Sequence, residues 1–218
     1  MIIWTLVIGN YLGFDDWDLE FYEWCWGTIR CGMVEMKTIQ KIPISRIDLS
    51  DETFSVNFMA DLQRLRSSIQ EMGLIQPILL REKKDGYQVV CGFRRVWVFH
   101  ELGKPEIESR VFETNELDDL KTFSISLHEN LMTRGFNNIA KAIALYKLVH
   151  HFQMDRTVVI KNFLPLFSLE PNEKILNTYL SLAKMEDEVK RYVWNEDVSR
   201  SNIRILSNFT SEDRLDML

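Results

Sequence analysis

Glycine and proline are scarce in this 218-residue chain, at 9 and 5 residues. That scarcity excludes a collagen-like or low-complexity polymer and disfavours global disorder. Cysteine is scarcer still, with only Cys25, Cys31 and Cys91. Three thiols in a chain of this size make no disulfide scaffold, and their spacing makes no metal-ligand pattern, so a reducing cytoplasm is expected. No apolar run approaches the roughly 20 residues that a membrane span needs. The opening Met1–Ile8 looks briefly like a signal sequence, but it has no basic leading region and is cut short at Gly9-Asn10. A surplus of positive charge is also lacking. The net charge is −6. Residues 1–35 account for most of it, with six acidic side chains against Arg30 alone. The remainder is close to neutral, which removes the simple electrostatic argument for nucleic-acid binding without forbidding it.

What is present begins with 46% hydrophobic residues, enough to bury a sizeable core in one large or two small domains. Residues 1–35 hold four of the six tryptophans and keep neither a period of 2 nor one of 3.6. They read as an atypical extension, either an aromatic-rich arm or, preferably, the product of a misassigned start, with the natural start at Met33 or Met36. Ile42–Leu49 is expected to be an edge strand with its proline near the start. Ser50–Asn57 is a polar connector. Residues 58–72 place Leu62, Leu65, Ile69 and Met72 on one helical face, and Gly73 ends that helix. Pro77–Arg81 and Tyr87–Cys91 form a hairpin around Lys83–Gly86. A helix follows, ending at Leu102-Gly103. Ile107, Ser109 and Val111 mark another strand, and Leu117–Leu127 another helix. From Asn137 the pattern is helical throughout: Asn137–Phe152, about 155–164, 171–184 and 186–195, and a last helix from near Ser199. The division expected is 1–35, 36–135 and 136–218.

The most informative stretch is Val90-Cys-Gly-Phe-Arg-Arg-Val-Trp97. A strand that runs through glycine into the start of an arginine-bearing helix is an anion socket. Glycine allows close backbone approach, the first helical N–H groups point outward, and guanidinium forks add charge and paired donors. A second polar cluster, His128-Glu129-Asn130, could hold a metal ion or a base. The plainer reading of paired arginines, a solvated face or a structural ion pair, stands beside this one.

Four stretches decide between them by their order: Ile42-Pro-Ile-Ser-Arg-Ile; Leu65-Arg-Ser-Ser-Ile-Gln-Glu-Met-Gly-Leu-Ile-Gln-Pro-Ile-Leu-Leu-Arg81; Gly92-Phe-Arg-Arg with its helix; and Glu129-Asn130-Leu131 followed by Arg134, Asn137, Ile139 and Ala142. In this order and at these separations they resemble the ParB-like N-terminal domain, over about residues 39–150. The helical remainder resembles the DNA-binding domain that follows it in partition proteins. There Thr157–Phe163 would be the first helix of a helix-turn-helix, Leu166–Pro171 the turn, and Asn172–Ala183 the recognition helix. The fold expected is therefore α+β: a small mixed-sheet ParB/sulfiredoxin-like domain, then an all-helical domain with a helix-turn-helix.

The resemblance implies a CTP-dependent clamp on DNA, dimeric, acting in plasmid or chromosome partition or in transcription, with a partition ATPase as a further partner. It implies Gly92, Phe93, Arg94, Arg95, Glu129, Asn130 and Arg134 at the nucleotide, Glu129 and Asn130 at Mg²⁺, and slow CTP hydrolysis. It places Asn172, Lys174, Asn177 and Tyr179 toward DNA. The chain departs from the family pattern at Phe93, where a glutamate is usual, at Met132-Thr133 in place of Gln-Arg, and at Ala140. These departures bear on hydrolysis more than on the fold. Sulfiredoxin shares the fold but carries its reactive cysteine just after the glycine, where this chain has Phe93. Cys91, inside a strand, reads as a small buried filler. Two alternatives remain open: an enzyme of the same fold acting on a small molecule, such as a nucleotide-dependent kinase, and a degenerate DNA-binding module without nucleotide chemistry.

Overall fold

The computed structural model describes residues 38–58, 62–114, 116–133, 135–196 and 198–216. Residues 1–35 and Arg134 lie outside them. All described residues belong to one compact unit, Lys37–Leu218. Among them no helix is long and apolar enough to cross a membrane.

The chain enters through β1 (Gln40–Pro43), a 3-10 turn (Ile44–Arg46) and β2 (Ile47–Asp48). Helix α1 (Gln63–Met72), strands β3 (Ile78–Lys83) and β4 (Gly86–Cys91), helix α2 (Phe93–Glu101), strand β5 (Glu106–Phe112) and helix α3 (Asp119–Thr133) follow. The five strands form one mixed sheet in the order β1-β5-β3-β4-β2. The hairpin β3–β4 and the pair β1–β5 are antiparallel, and β2–β4 and β3–β5 are parallel. The single edge strand expected over Ile42–Leu49 is thus two strands on opposite edges. Pro43 ends the first, and the 3-10 turn carries the chain across to the second. Proline has no N–H to continue a ladder, and short edge strands expose few unpaired groups.

Strand β4 is buried almost throughout, with Val89, Val90 and Cys91 each at most 1% exposed. Helix α3 packs against it, and α2 packs against β5 and α1. Arg81 locks this layer. Its guanidinium meets Asp119 at 2.7 Å and Gln88 Oε1 at 2.7 and 3.1 Å, and it sits 5.0 Å above the Phe54 ring. Gln88 in turn donates to Asp51 Oδ2 at 2.8 Å, and Asp51 also pairs with Lys83. Burial opposes ionisation of Asp51, but hydrogen bonds from Lys83, Thr53 and Gln88 outweigh it and hold the carboxyl well below the usual range. The stabilisation from a depressed carboxylate is present above the pH where the unfolded aspartate titrates, about 3.9, and is lost as pH falls below it. Chemical denaturation of the wild type and of Asp51→Asn checks this. The stability difference between them is expected to shrink from about pH 6 to about pH 3, and an unchanged difference refutes the assignment.

The helical half begins with α4 (Asn138–Tyr146), continued by a π-helical turn, Lys147–His151. Arg156–Val158, the π-helical Val159–Phe163 and Leu164–Leu166 run on without a break and are together called α5. Then come α6 (Glu173–Lys184), α7 (Asp187–Asn195), α8 (Arg200–Leu206) and α9 (Ser211–Asp216). Side-chain caps start several of them: Asn137 accepts from Ala140 N, Asp155 from Thr157 N, Asn172 from Lys174 N and Ser199 from Asn202 N. Each cap satisfies an N–H that the helix itself leaves unpaired. Helix α4 packs along α6, and Leu145, Leu148, Val159, Leu164, Leu176 and Val189 are fully buried between the helices. The two halves share one apolar cluster. Phe152, beyond α4, stacks on Phe54 at 6.4 Å and on Phe123 of α3 at 4.7 Å.

Candidate nucleotide-binding cleft and DNA-facing helix

Gly92 is the N-cap of α2, with φ 98° and ψ 23°. A side chain there would meet the sheet beneath it, because a Cβ would lie 2.6 Å from Ile78 Cγ2. Glycine therefore meets two needs at once, a left-handed backbone and close packing of the turn on β3. The turn lines a cleft of about 420 Å³, within the range of small-ligand sites. Ser68, Ile69 and the segment Gly73–Gln76 form one wall, and Gly92–Arg95 form a second. Glu129, Asn130 and Thr133 of α3 form a third, closed by Val56 and Asn57 from the connector. The second, third and fourth sequence boxes thus converge on one cavity.

The paired arginines divide their work. Arg95 turns inward. It donates to the carbonyls of Gln76 at 2.9 Å and Pro77 at 3.2 Å, and to Glu129 Oε1 at 2.9 Å. One guanidinium thereby ties the loop after α1 to α3. The structural ion pair of the plainer reading is present at Arg95, which spends three N–H donors on protein acceptors. Arg94 is half-buried and also lines the cleft. Phe93 is 5% exposed, with its ring 6.3 Å from that of Trp97, and gives the cleft an apolar floor where the family pattern has a carboxylate.

On α3, Asn130 donates its Nδ2 to Ser126 O at 2.8 Å, so its carbonyl oxygen is the group it can offer to a cation. Glu129 has one oxygen on Arg95. Together they make a small set of hard oxygen donors. Such a set fits Mg²⁺ only when phosphate oxygens and waters supply the rest. Among the described residues no three His, Cys, Asp or Glu side chains gather as a metal site of their own. His128 is exposed and is not part of the cleft lining. Cys91 is 1% exposed, and burial pushes its thiol far up, so it is no nucleophile. Arg134, the remaining candidate at the nucleotide, lies outside the described residues.

The candidates for DNA are less evenly placed. Lys174 and Asn177 are exposed on α6, and Asn172 caps its N-terminus. Arg156 of α5 donates to Glu173 Oε1 and, at 2.6 Å, to Asn177 Oδ1. Ser181 and Lys184 continue the exposed face that begins at Lys174 and Asn177. The helical spacing 174, 177, 181, 184 was the signal for both. Tyr179 does not share this face. It is 1% exposed, and its hydroxyl donates to Asn138 Oδ1 at 2.8 Å. Asn138 Nδ2 passes the link to Val198 O. Tyr179 stands three residues after the buried Leu176, on the apolar stripe, so its side chain packs rather than reads DNA. Tyr179→Phe is expected to cost about 0.5–1.5 kcal/mol of folding stability with DNA affinity unchanged. Denaturation and a binding titration check the two halves of that statement.

The cleft residues missed in the sequence are Thr133, Val56, Asn57, the helical Leu65, Ser68 and Ile69, and the loop Gly73–Gln76. Those three helical residues and the loop lie within the second box, and the box itself was the available signal.

The nucleoid occlusion protein of Bacillus cereus is 25% identical over 179 residues, which are 80% of this chain and 58% of that protein. The chain thus spans less than two thirds of the length of this curated relative. The C-terminally truncated chromosome-partitioning protein ParB from Caulobacter crescentus has been solved with CTP-gamma-S and with the centromeric parS site. The first is 24% identical and covers 80% of this chain and 94% of that one, with a TM-score of 0.39. The second is 22% identical and covers 78% and 86%, with a TM-score of 0.45. A family model described as the ParB N-terminal domain matches residues 31–131. This segment holds the mixed sheet, the Gly92–Arg95 turn and the Glu129-Asn130 pair, and over it the chain is similar to the ParB N-terminal domain family.

Proposed function

We propose that this protein is a nucleotide-gated DNA-binding protein of the nucleoid-occlusion and partition kind. CTP with Mg²⁺ occupies the cleft, the helical half holds DNA, and two copies close on it. The observation that carries this reading is the convergence of three boxes, far apart in sequence, on a single cavity. Backbone N–H groups at the start of α2 and the Arg94 guanidinium supply the chemistry that phosphate oxygens need. The apolar part of the wall, from Ile69, Leu74 and Phe93, suits a base or ribose face. Bound Mg²⁺ would neutralise phosphate charge, with Glu129 and Asn130 holding it beside the phosphates.

In the helical half, residues 136–218, the pair α5 and α6 with the intervening turn serves as the helix-turn-helix. Lys174 and Asn177 of its second helix are suited to base edges or phosphates. The absence of a basic surplus makes this contact depend on few side chains, so affinity falls only gently with salt. The relationship to nucleoid occlusion proteins supports a place on chromosomal or plasmid DNA in the cytoplasm.

The test is calorimetry with CTP and Mg²⁺, run beside crosslinking of a surface-cysteine variant with and without DNA. CTP is expected to bind and to raise the crosslinked dimer yield. A chain that binds DNA but shows neither response to CTP would instead be a DNA-binding module without nucleotide gating.

A further inference from the structure

The connector Asp51–Asn57 touches more of the molecule than its length suggests. Val56 and Asn57 line the cleft. Ser55 Oγ accepts from both Asn57 N and Asn57 Nδ2, each at 3.2 Å, and so sets how Asn57 faces that cleft. Phe54 O accepts from Ser126 Oγ of α3 at 2.9 Å, and the Phe54 ring stacks on Phe152 from the helical half.

Lys147 completes the arrangement from the far side. It stands where α4 passes into its π-helical turn, more than 90 residues further along the chain. Its Nζ donates to three connector carbonyls: Glu52 O at 2.5 Å, Thr53 O at 3.1 Å and Ser55 O at 2.7 Å. An ammonium carries three N–H donors and here spends all three on one stretch of backbone. Burial lowers it to about 8, with Glu52 and Asp51 opposing the shift, so the charged form prevails at neutral pH. A polar residue reaching the interior could have met a carboxylate. This one donates its hydrogen bonds only to carbonyls, so the arrangement fixes a position, with Glu52 and Asp51 near enough to favour its charge.

We infer that Lys147 is a positioning residue that couples the helical half to the nucleotide cleft, acting through Ser55 and Asn57. This rests on the reading of the cleft as a CTP site. The helical half that grips DNA holds the connector through Lys147, and the connector holds a wall of the cleft through the Ser55–Asn57 link. A movement of α4 therefore changes the cleft, and by reciprocity ligand in the cleft changes the placement of α4. The path is a contiguous set of hydrogen bonds, and its coupling can be measured.

The experiment uses the full chain, with CTP and Mg²⁺ as the probe. Calorimetry is run on wild type, Lys147→Met, Ser55→Ala and the double variant, with thermal melting in parallel to show that each folds. Lys147→Met keeps the length and apolar stem but removes the donors. It is expected to lower CTP affinity about tenfold, and Ser55→Ala to do the same in part. The double variant is expected to lose no more than the larger single loss, since both act on one link. Wild-type CTP affinity in a folded Lys147→Met variant overturns the inference, as do losses that simply multiply. Failure of the wild type to bind CTP overturns the reading of the cleft, and this inference with it. Should Lys147→Met not fold, Ser55→Ala alone decides, because it removes one hydroxyl and leaves the Lys147 contacts in place. Unchanged affinity in that variant breaks the proposed chain.

Discussion

Arg94→Ala is expected to weaken CTP binding by roughly 2–5 kcal/mol, at least about 30-fold. The effect is large because Arg94 is half-buried and lines the cleft beside Gly92. Its removal leaves phosphate charge desolvated without a partner. Arg95→Ala is the instructive control. Arg95 holds the Gln76 and Pro77 carbonyls and Glu129, so its loss leaves three acceptors short of a donor. An unsatisfied buried group costs about 1–3 kcal/mol, so Arg95→Ala should lower the melting temperature as well as the affinity. Calorimetry and melting of both variants separate the roles. An affinity loss confined to Arg95→Ala would reverse the assignment of the two arginines.

The second large effect is expected at Gly92→Ala. The backbone there is at φ 98°, where an L side chain is strained by about 1–3 kcal/mol. Its Cβ would lie 2.6 Å from Ile78 Cγ2, and Ile78 is fully buried in the central strand β3. Relief requires the turn to lift or the side chain to leave its rotamer, at about 1–3 kcal/mol more. A total of about 2–6 kcal/mol follows, together with loss of CTP binding, because lifting the turn moves the α2 N-terminus out of the cleft wall. Chemical denaturation measures the first part. Repeating it in an Ile78→Ala background isolates the contact from the strain. The penalty of Gly92→Ala should be smaller there, and an equal penalty in both backgrounds would locate the whole effect in the backbone.

These expectations show which parts of the site lay in the sequence. That Gly92 begins a helix after a strand is local information, carried by a glycine between a β-type run and a helical one. The hairpin of β3 and β4 and the Gly73 stop of α1 are local in the same sense. The α+β division, a sheet followed by helices, follows from a change of apolar period near residue 135. The order of the boxes belongs to the sequence too, and it is what distinguished a ligand socket from an arbitrary arginine pair. Tyr179 was also within reach. Its spacing from Leu176 and Leu180 puts it on the buried stripe.

Other features had no local signal. Ile42 and Ile47 look like parts of one strand, because alternation says which face a residue takes and not which neighbour it pairs with. β1 finds β5 and β2 finds β4, partners about 40 to 70 residues away whose choice depends on closing the whole sheet. Nor does an Arg-Arg pair state which member turns inward. Consecutive helical residues point about 100° apart, so one faced the loop and the other the cleft. The acceptors that settled it lie 18, 19 and 34 residues from Arg95. The same holds for Lys147, whose three acceptors come from the other half of the protein. The sequence by itself determined the kinds of element, their order and the residues able to meet an anion, since these rest on periodicity, turn chemistry and side-chain type. Only the tertiary structure decided which strands pair, which arginine ties the loop after α1 to α3 and which lysine holds the connector, since each is a matter of where distant backbone carbonyls and carboxylates come to stand.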